Sequence, residues 1–280
     1  MIGVYDSGFG GLSVLRHLRA GMPRRDFAYL GDSGRAPYGG RDVHTILDFA
    51  EQATERLLEE GARLVVVACN TVSCVALRHL QQRYASPDVR ILGVTIPGAE
   101  IAVRTTSGRV GILATARTVA SGTYVTEIAK LAPTVRVTQR AAALLAPIVE
   151  EGWERTDIAR LAAARYLADL GPVDTLLLAC THYPLMADVL AEIAPAGMRI
   201  LDPGPYTAER LADWLVRHPG FDDEGSGRLR VLCTGDPTAF AGHGERFLGE
   251  TLPVVEPIAE IDGRLAHRHP DEAPRGQVVR

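Results

Sequence analysis

Lysine is nearly missing from this chain: of 30 lysine and arginine residues only Lys130 is a lysine. It falls in the helical-looking run VTEIAKLAP, on an expected solvated face, so a pyridoxal phosphate Schiff base has no convincing anchor. A Walker A site fails for the same lack, because that loop needs a lysine on the phosphates. Cysteine is scarce as well, with 4 in 280 residues. Four are too few for a disulfide scaffold, and in a reducing compartment spaced thiols are more often catalytic or metal-binding. No apolar stretch approaches the length of a membrane span and no basic, apolar, small-residue leader opens the chain, so a soluble cytoplasmic protein is expected. The net charge is −4, with basic residues spread along the chain, which leaves no electrostatic footprint for nucleic acid.

What is present is a near-repeat. LVVVACNT at 64–71 and TLLLACTH at 175–182 are each an apolar run ending in Ala-Cys and two polar residues. Unbroken apolar runs of this length mark strands buried on both faces, as in parallel sheets under helices. Ligands gather at the carboxyl ends of such strands, where Cys69 and Cys180 stand. A second pair, IGVYDS at 2–7 and VGILAT at 110–115, has nearly the same offset. The chain therefore reads as an α/β protein of two pseudo-symmetric three-layer domains with mainly parallel sheets, each giving one thiol to a shared cleft. The expected boundaries are residues 1–96 plus 206–261 for the first domain and 97–205 for the second. Residues 262–280, polar and with two prolines, read as a loose tail.

Helices are expected at 12–20, at 41–60 before Gly61, at 156–170 before Gly171, and at 206–216, the last returning the chain to the first domain. GFGGLS at 8–13 imitates a dinucleotide loop, but it lacks the third glycine, and Asp6 would oppose a pyrophosphate. Cys74 and Cys233 are assigned to packing. Taken singly, Asp6, Ser7, Asn70, Thr71 and Thr181 also read as turn or cap residues, Tyr38 as a half-buried aromatic and His182 as a structural histidine. A zinc set of Cys69, Cys180, His182 and Asp6 is a rival arrangement, although neither half has the close spacing that makes such sites readable.

Six blocks in order give the site a further reading: DSGFGGLSV at 6–14, GDSGRAPYG at 31–39, ACNT at 68–71, ATARTV at 114–119, PIVEEG at 147–152 and ACTHYPL at 179–185. Together the chain resembles the glutamate racemases of the aspartate/glutamate racemase family. The resemblance implies an active site between two α/β domains, no cofactor and no metal, glutamate as substrate, and D-glutamate made for peptidoglycan. It implies Cys69 and Cys180 as the acid/base pair, assisted by Asp6 and His182. It also implies Asp6, Ser7, Tyr38, Gly39, Asn70, Thr71, Thr181 and His182 as substrate contacts. A homodimer is a candidate assembly, and some members are implicated in binding DNA gyrase. A racemase or decarboxylase for another small acid is the alternative, though paired thiols argue against a one-thiol decarboxylase. Gly34 and Ala142-Ala143 depart from the family pattern, the latter bearing on the packing before PIVEEG.

The chemistry suits the residues. Inverting Cα takes a proton from one face and delivers one to the other, so two opposed groups are natural. One must be thiolate and the other thiol, whereas an ordinary cysteine is mostly protonated at neutral pH. A histidine such as His182 favours thiolate, and backbone N–H groups with the hydroxyls of Ser7, Thr71 and Thr181 are the expected stabilisers of charge on the substrate carboxylate.

Overall fold

Apolar runs without a polar partner stay folded only when helices cover both their faces, and the central strands meet that condition. The computed structural model describes residues 1–267. Its strands are β1 (Ile2–Asp6), β2 (Phe27–Gly31), β3 (Leu64–Val67), β4 (Arg90–Gly93), β5 (Arg109–Ala114), β6 (Arg136–Ala141), β7 (Thr175–Ala179), β8 (Arg199–Leu201), β9 (Leu229–Cys233), β10 (Val255–Ile261) and β11 (Arg264–His267). Every residue of β1, β2, β3 and β7 is buried, while the edge strand β6 alternates exposed and half-buried positions.

The strands form a seven-stranded sheet in the order β11-β10-β9-β2-β1-β3-β4 and a four-stranded sheet in the order β6-β5-β7-β8. The repeated sequence is a repeated topology. β2-β1-β3-β4 in one sheet matches β6-β5-β7-β8 in the other, all in parallel pairing. In each set the chain leaves the first strand toward one side and returns on the other, which creates a crevice at the strand tips where the direction switches. Those tips are Ser7 and Cys69 in one sheet, Thr115 and Cys180 in the other.

Helices fall close to their expected places. Val43–Glu59 begins after Asp42, whose carboxylate accepts the Thr45 N–H at 3.0 Å, and Asp157–Leu170 begins after the capping hydroxyl of Thr156. Gly204–Arg217 packs on Leu12–Gly21 and leads the chain back to the larger sheet through β9. The carboxylate of Asp174 ties the start of β5 to β7, accepting from the hydroxyls of Thr106 and Thr175 and from the N–H groups of Ser107 and Arg109.

The expected tail needs correction. Asp262 and Gly263 both take positive φ, 50° and 77°, the backbone of a two-residue hairpin turn. They fold Arg264–His267 back on β10 as the antiparallel β11, with Leu265 buried in the core of the larger sheet. Residues 268–280, the rest of that stretch, lie outside the described residues.

Candidate active site

A cavity of about 460 Å³ opens between the tips of the two sheets, lined by both cysteine-tipped segments. Cys69 ends the turn after β3 and precedes the helix Asn70–Val75; Cys180 follows β7 directly. Of the ten expected site residues, Ser7, Tyr38, Gly39, Cys69, Asn70, Thr71, Cys180, Thr181 and His182 line this cavity. Asp6 does not. It is fully buried behind the wall, accepting the Gly8 N–H at 3.0 Å and the Thr181 hydroxyl at 3.5 Å, so it holds the Gly-rich loop against the second sheet. Tyr38 meets the cavity differently from expectation, since its hydroxyl donates to Asp32 and accepts from Tyr5. The hydroxyl is therefore committed to a buried network.

The GFGG loop finds its explanation here. A Cβ on Gly10 would lie 2.4 Å from Thr181 Oγ1 and 2.6 Å from His182 Cε1, so only glycine lets the loop approach the second half. The loop is a seam between the halves. Ser13 reinforces it by donating to the Thr181 carbonyl at 2.9 Å.

The two thiols sit in unlike surroundings. Burial pushes Cys69 up to about 12, the neighbouring Asp6 charge adding to it against the Ser7 hydroxyl at 3.5 Å and the Val72 N–H. The thiol form of Cys69 is thus favoured. Cys180 Sγ lies 3.8 Å from Nδ1 of His182, whose Nε2 is 3.0 Å from Glu150 Oε1. Burial opposes the imidazolium, but Cys180 and Glu150 outweigh it and hold His182 up at about 10. Burial also raises the Asp6 carboxyl, partly offset by His182 and the loop N–H groups.

Two contributors escaped residue-level reading. Glu150 and Thr115 both line the cavity; their signal lay in the blocks PIVEEG and ATARTV, which carried no assigned roles. Thr115 Oγ1 is 2.9 Å from Thr71 Oγ1 and donates to Thr118 at 3.0 Å, a chain of hydroxyls linking the halves. Ala142, at the departure before PIVEEG, is fully buried and its carbonyl accepts the Tyr183 hydroxyl at 2.8 Å, so local packing is intact. Among the described residues no group of three His, Cys, Asp or Glu side chains is placed to hold a metal ion, and the zinc arrangement does not assemble. Lys130 is half exposed and paired with Glu127 at 2.8 Å, away from the cavity lining. No helix among the described residues is long and apolar enough to cross a membrane.

The α/β scaffold thus brings two buried thiols from equivalent strands to one cleft. Residues 28–211 match the Asp/Glu/Hydantoin racemase family. The glutamate racemase of Syntrophus aciditrophicus (strain SB) is 40% identical over 261 residues, covering 92% of this chain and 96% of that protein. The solved glutamate racemase of Francisella tularensis subsp. tularensis SCHU S4, in complex with D-glutamate, superposes with a TM-score of 0.85 at 30% identity, covering 92% of this chain and 97% of that one. That of Thermus thermophilus, in complex with beta-chloro-D-alanine, gives 0.81 at 38% identity, over 92% and 96%. The chain belongs to the Asp/Glu/Hydantoin racemase family, and within it to the glutamate racemases.

Proposed function

We propose that this chain interconverts L- and D-glutamate, without a cofactor, by moving the Cα proton between Cys180 and Cys69. The observation that carries the reading is that both sulfurs, delivered by equivalent strands of two sheets, line one cavity. From L-glutamate, the Cys180 thiolate takes the proton and the electron pair passes into the α-carboxylate. Cys69, kept protonated by burial and Asp6, then gives its proton to the opposite face, and solvent resets the pair. The reverse sequence handles D-glutamate.

His182 supports the base by standing as a cation beside Cys180, and Glu150 supports His182 from behind. Asn70 and Ser7 surround the reacting carboxylate with Thr71 and Thr181, and the Asn70 amide, the Ser7 hydroxyl and the backbone N–H groups at the strand tips meet charge as it develops, while the Thr71 and Thr181 hydroxyls hold the two halves together. Asp6 serves by shaping the loop and disfavouring a second thiolate. The product supplies peptidoglycan synthesis. The same reading divides the chain into residues 1–96 with 206–267, and residues 97–205, so that each unit owns one thiol.

Circular dichroism of the purified protein with each enantiomer tests this. Both signals should decay to zero with no added pyridoxal phosphate and in the presence of a chelator. Loss of activity on chelation with recovery on adding zinc would overturn the mechanism, and equal rates on aspartate would overturn the substrate.

A further inference from the structure

Asn70 follows Cys69 and lines the cavity, and a carboxamide is ambident: its NH2 attracts a carboxylate while its oxygen repels one. Which end faces the substrate depends on what holds the other. The hydroxyl of Tyr124 donates to Asn70 Oδ1 at 2.5 Å. Tyr124 is fully buried, on the helix Thr123–Leu131 that packs with the smaller sheet, whereas Asn70 belongs to the segment following β3 of the larger one. The bond therefore crosses between the halves.

The fold makes room for this hydroxyl. A Cβ on Gly98 would lie 3.0 Å from the Tyr124 hydroxyl oxygen and 3.1 Å from Cε1, closer than a side chain packs without displacing its neighbour. Asn70 Oδ1 is the acceptor of the phenolic proton among the described residues. Turning the amide over would leave that proton buried and unpaired, which is costly.

We propose that Tyr124 is a positioning residue for substrate: it locks the Asn70 carboxamide with its oxygen turned away and its NH2 toward the cavity, fixing the site as a carboxylate binder. The inference rests on the glutamate reading above and adds the residue that sets the polarity of that contact. Gly98 is the second part of the device, since it clears the space in which the hydroxyl reaches Asn70.

The test is steady-state kinetics with both glutamate enantiomers on the wild type, Tyr124→Phe, Asn70→Ala and the double variant, with melting temperatures recorded beside them. Tyr124→Phe should raise KM about tenfold and change kcat by less than threefold. In the double variant the phenylalanine should add nothing to the loss caused by Asn70→Ala, because contacting groups that act as a unit are non-additive. Gly98→Ala, which pushes on the hydroxyl without removing it, should raise KM in the same sense. An unchanged KM in Tyr124→Phe, or effects of Tyr124→Phe and Asn70→Ala that simply multiply, would overturn the proposal. A fall in melting temperature with unchanged kinetics would also overturn it, leaving Tyr124 a packing residue. Wild-type protein inactive on both enantiomers would overturn the functional reading, and this inference with it.

Discussion

His182→Asn removes a charge while keeping a hydrogen-bonding side chain of similar reach, and the geometry says how much that charge does. Nδ1 of His182 lies 3.8 Å from the Cys180 sulfur; two unit charges at that distance attract by about 4 kcal/mol at an effective dielectric near 20. Both groups are buried at the cavity wall, and desolvation offsets part of that attraction, leaving about 2 kcal/mol or some thirtyfold in rate. The variant should lose kcat/KM by ten- to a hundredfold near pH 7. Because His182 is held up at about 10, its charge is present through pH 9, so the deficit of the variant should be largest near neutral pH and shrink as pH rises. The two enantiomers have equal free energy, so kcat/KM must fall equally in both directions, a built-in check on the data. A loss with no change in the pH profile would mean that His182 acts on substrate binding alone, and a rate within twofold of wild type would refute the electrostatic argument.

Cys69→Ala and Cys180→Ala should each abolish turnover at an unchanged melting temperature, whereas Cys74→Ala and Cys233→Ala should lower stability by about 1–2 kcal/mol and leave kcat alone. Cys74 is a poor nucleophile because burial pushes it up to about 11, and slow alkylation of that thiol checks the point. Tyr38→Phe should cost about 1–2 kcal/mol in denaturant unfolding, since it takes a donor from buried Asp32, yet keep KM within twofold; a tenfold rise would show that the hydroxyl turns to substrate. Asp174 is held down to about 2 by its four donors against the opposing effect of desolvation. A depressed carboxylate contributes stability above its unfolded value near 4 and loses it as pH falls through about 2. Unfolding free energies of wild type and Asp174→Asn from urea titrations should therefore differ by about 1 kcal/mol at pH 6, an amount reduced by solvent screening, and converge near pH 2.

Much of the scaffold is readable in the sequence because parallel strands under two helical layers cannot hide their pattern. LVVV and TLLLA are continuous apolar runs, and their shared Ala-Cys ending marks the strand tips. The nine expected residues that line the cavity follow from those tips and from the ordered blocks. Periodicity could not reveal that Asp6 lies behind the wall or that the Tyr38 hydroxyl points into the Asp32 network, since such facts depend on which side of a loop a neighbour occupies. Glu150 was equally opaque: its role exists only through a contact with His182, 32 positions away. β11 was missed for a local reason. Asp262-Gly263 is a hairpin signal, but the polar, proline-bearing sequence beyond it masked the single buried residue, Leu265, that anchors the strand.

The central claim is that two different thiols serve the two faces of Cα, and isotope exchange in deuterated water tests it most directly. Each enantiomer is incubated with enzyme, quenched before a tenth has reacted, and the Cα label is read in substrate and product separately by mass spectrometry after chiral separation. With abstraction by one thiol and delivery by the other, product should carry solvent deuterium from the first turnovers while recovered substrate stays protiated, for both enantiomers. A single shuttling base would return part of the original proton to the product and wash deuterium into recovered substrate. Early labelling of the substrate pool comparable to that of product, starting from either enantiomer, would contradict the two-thiol account.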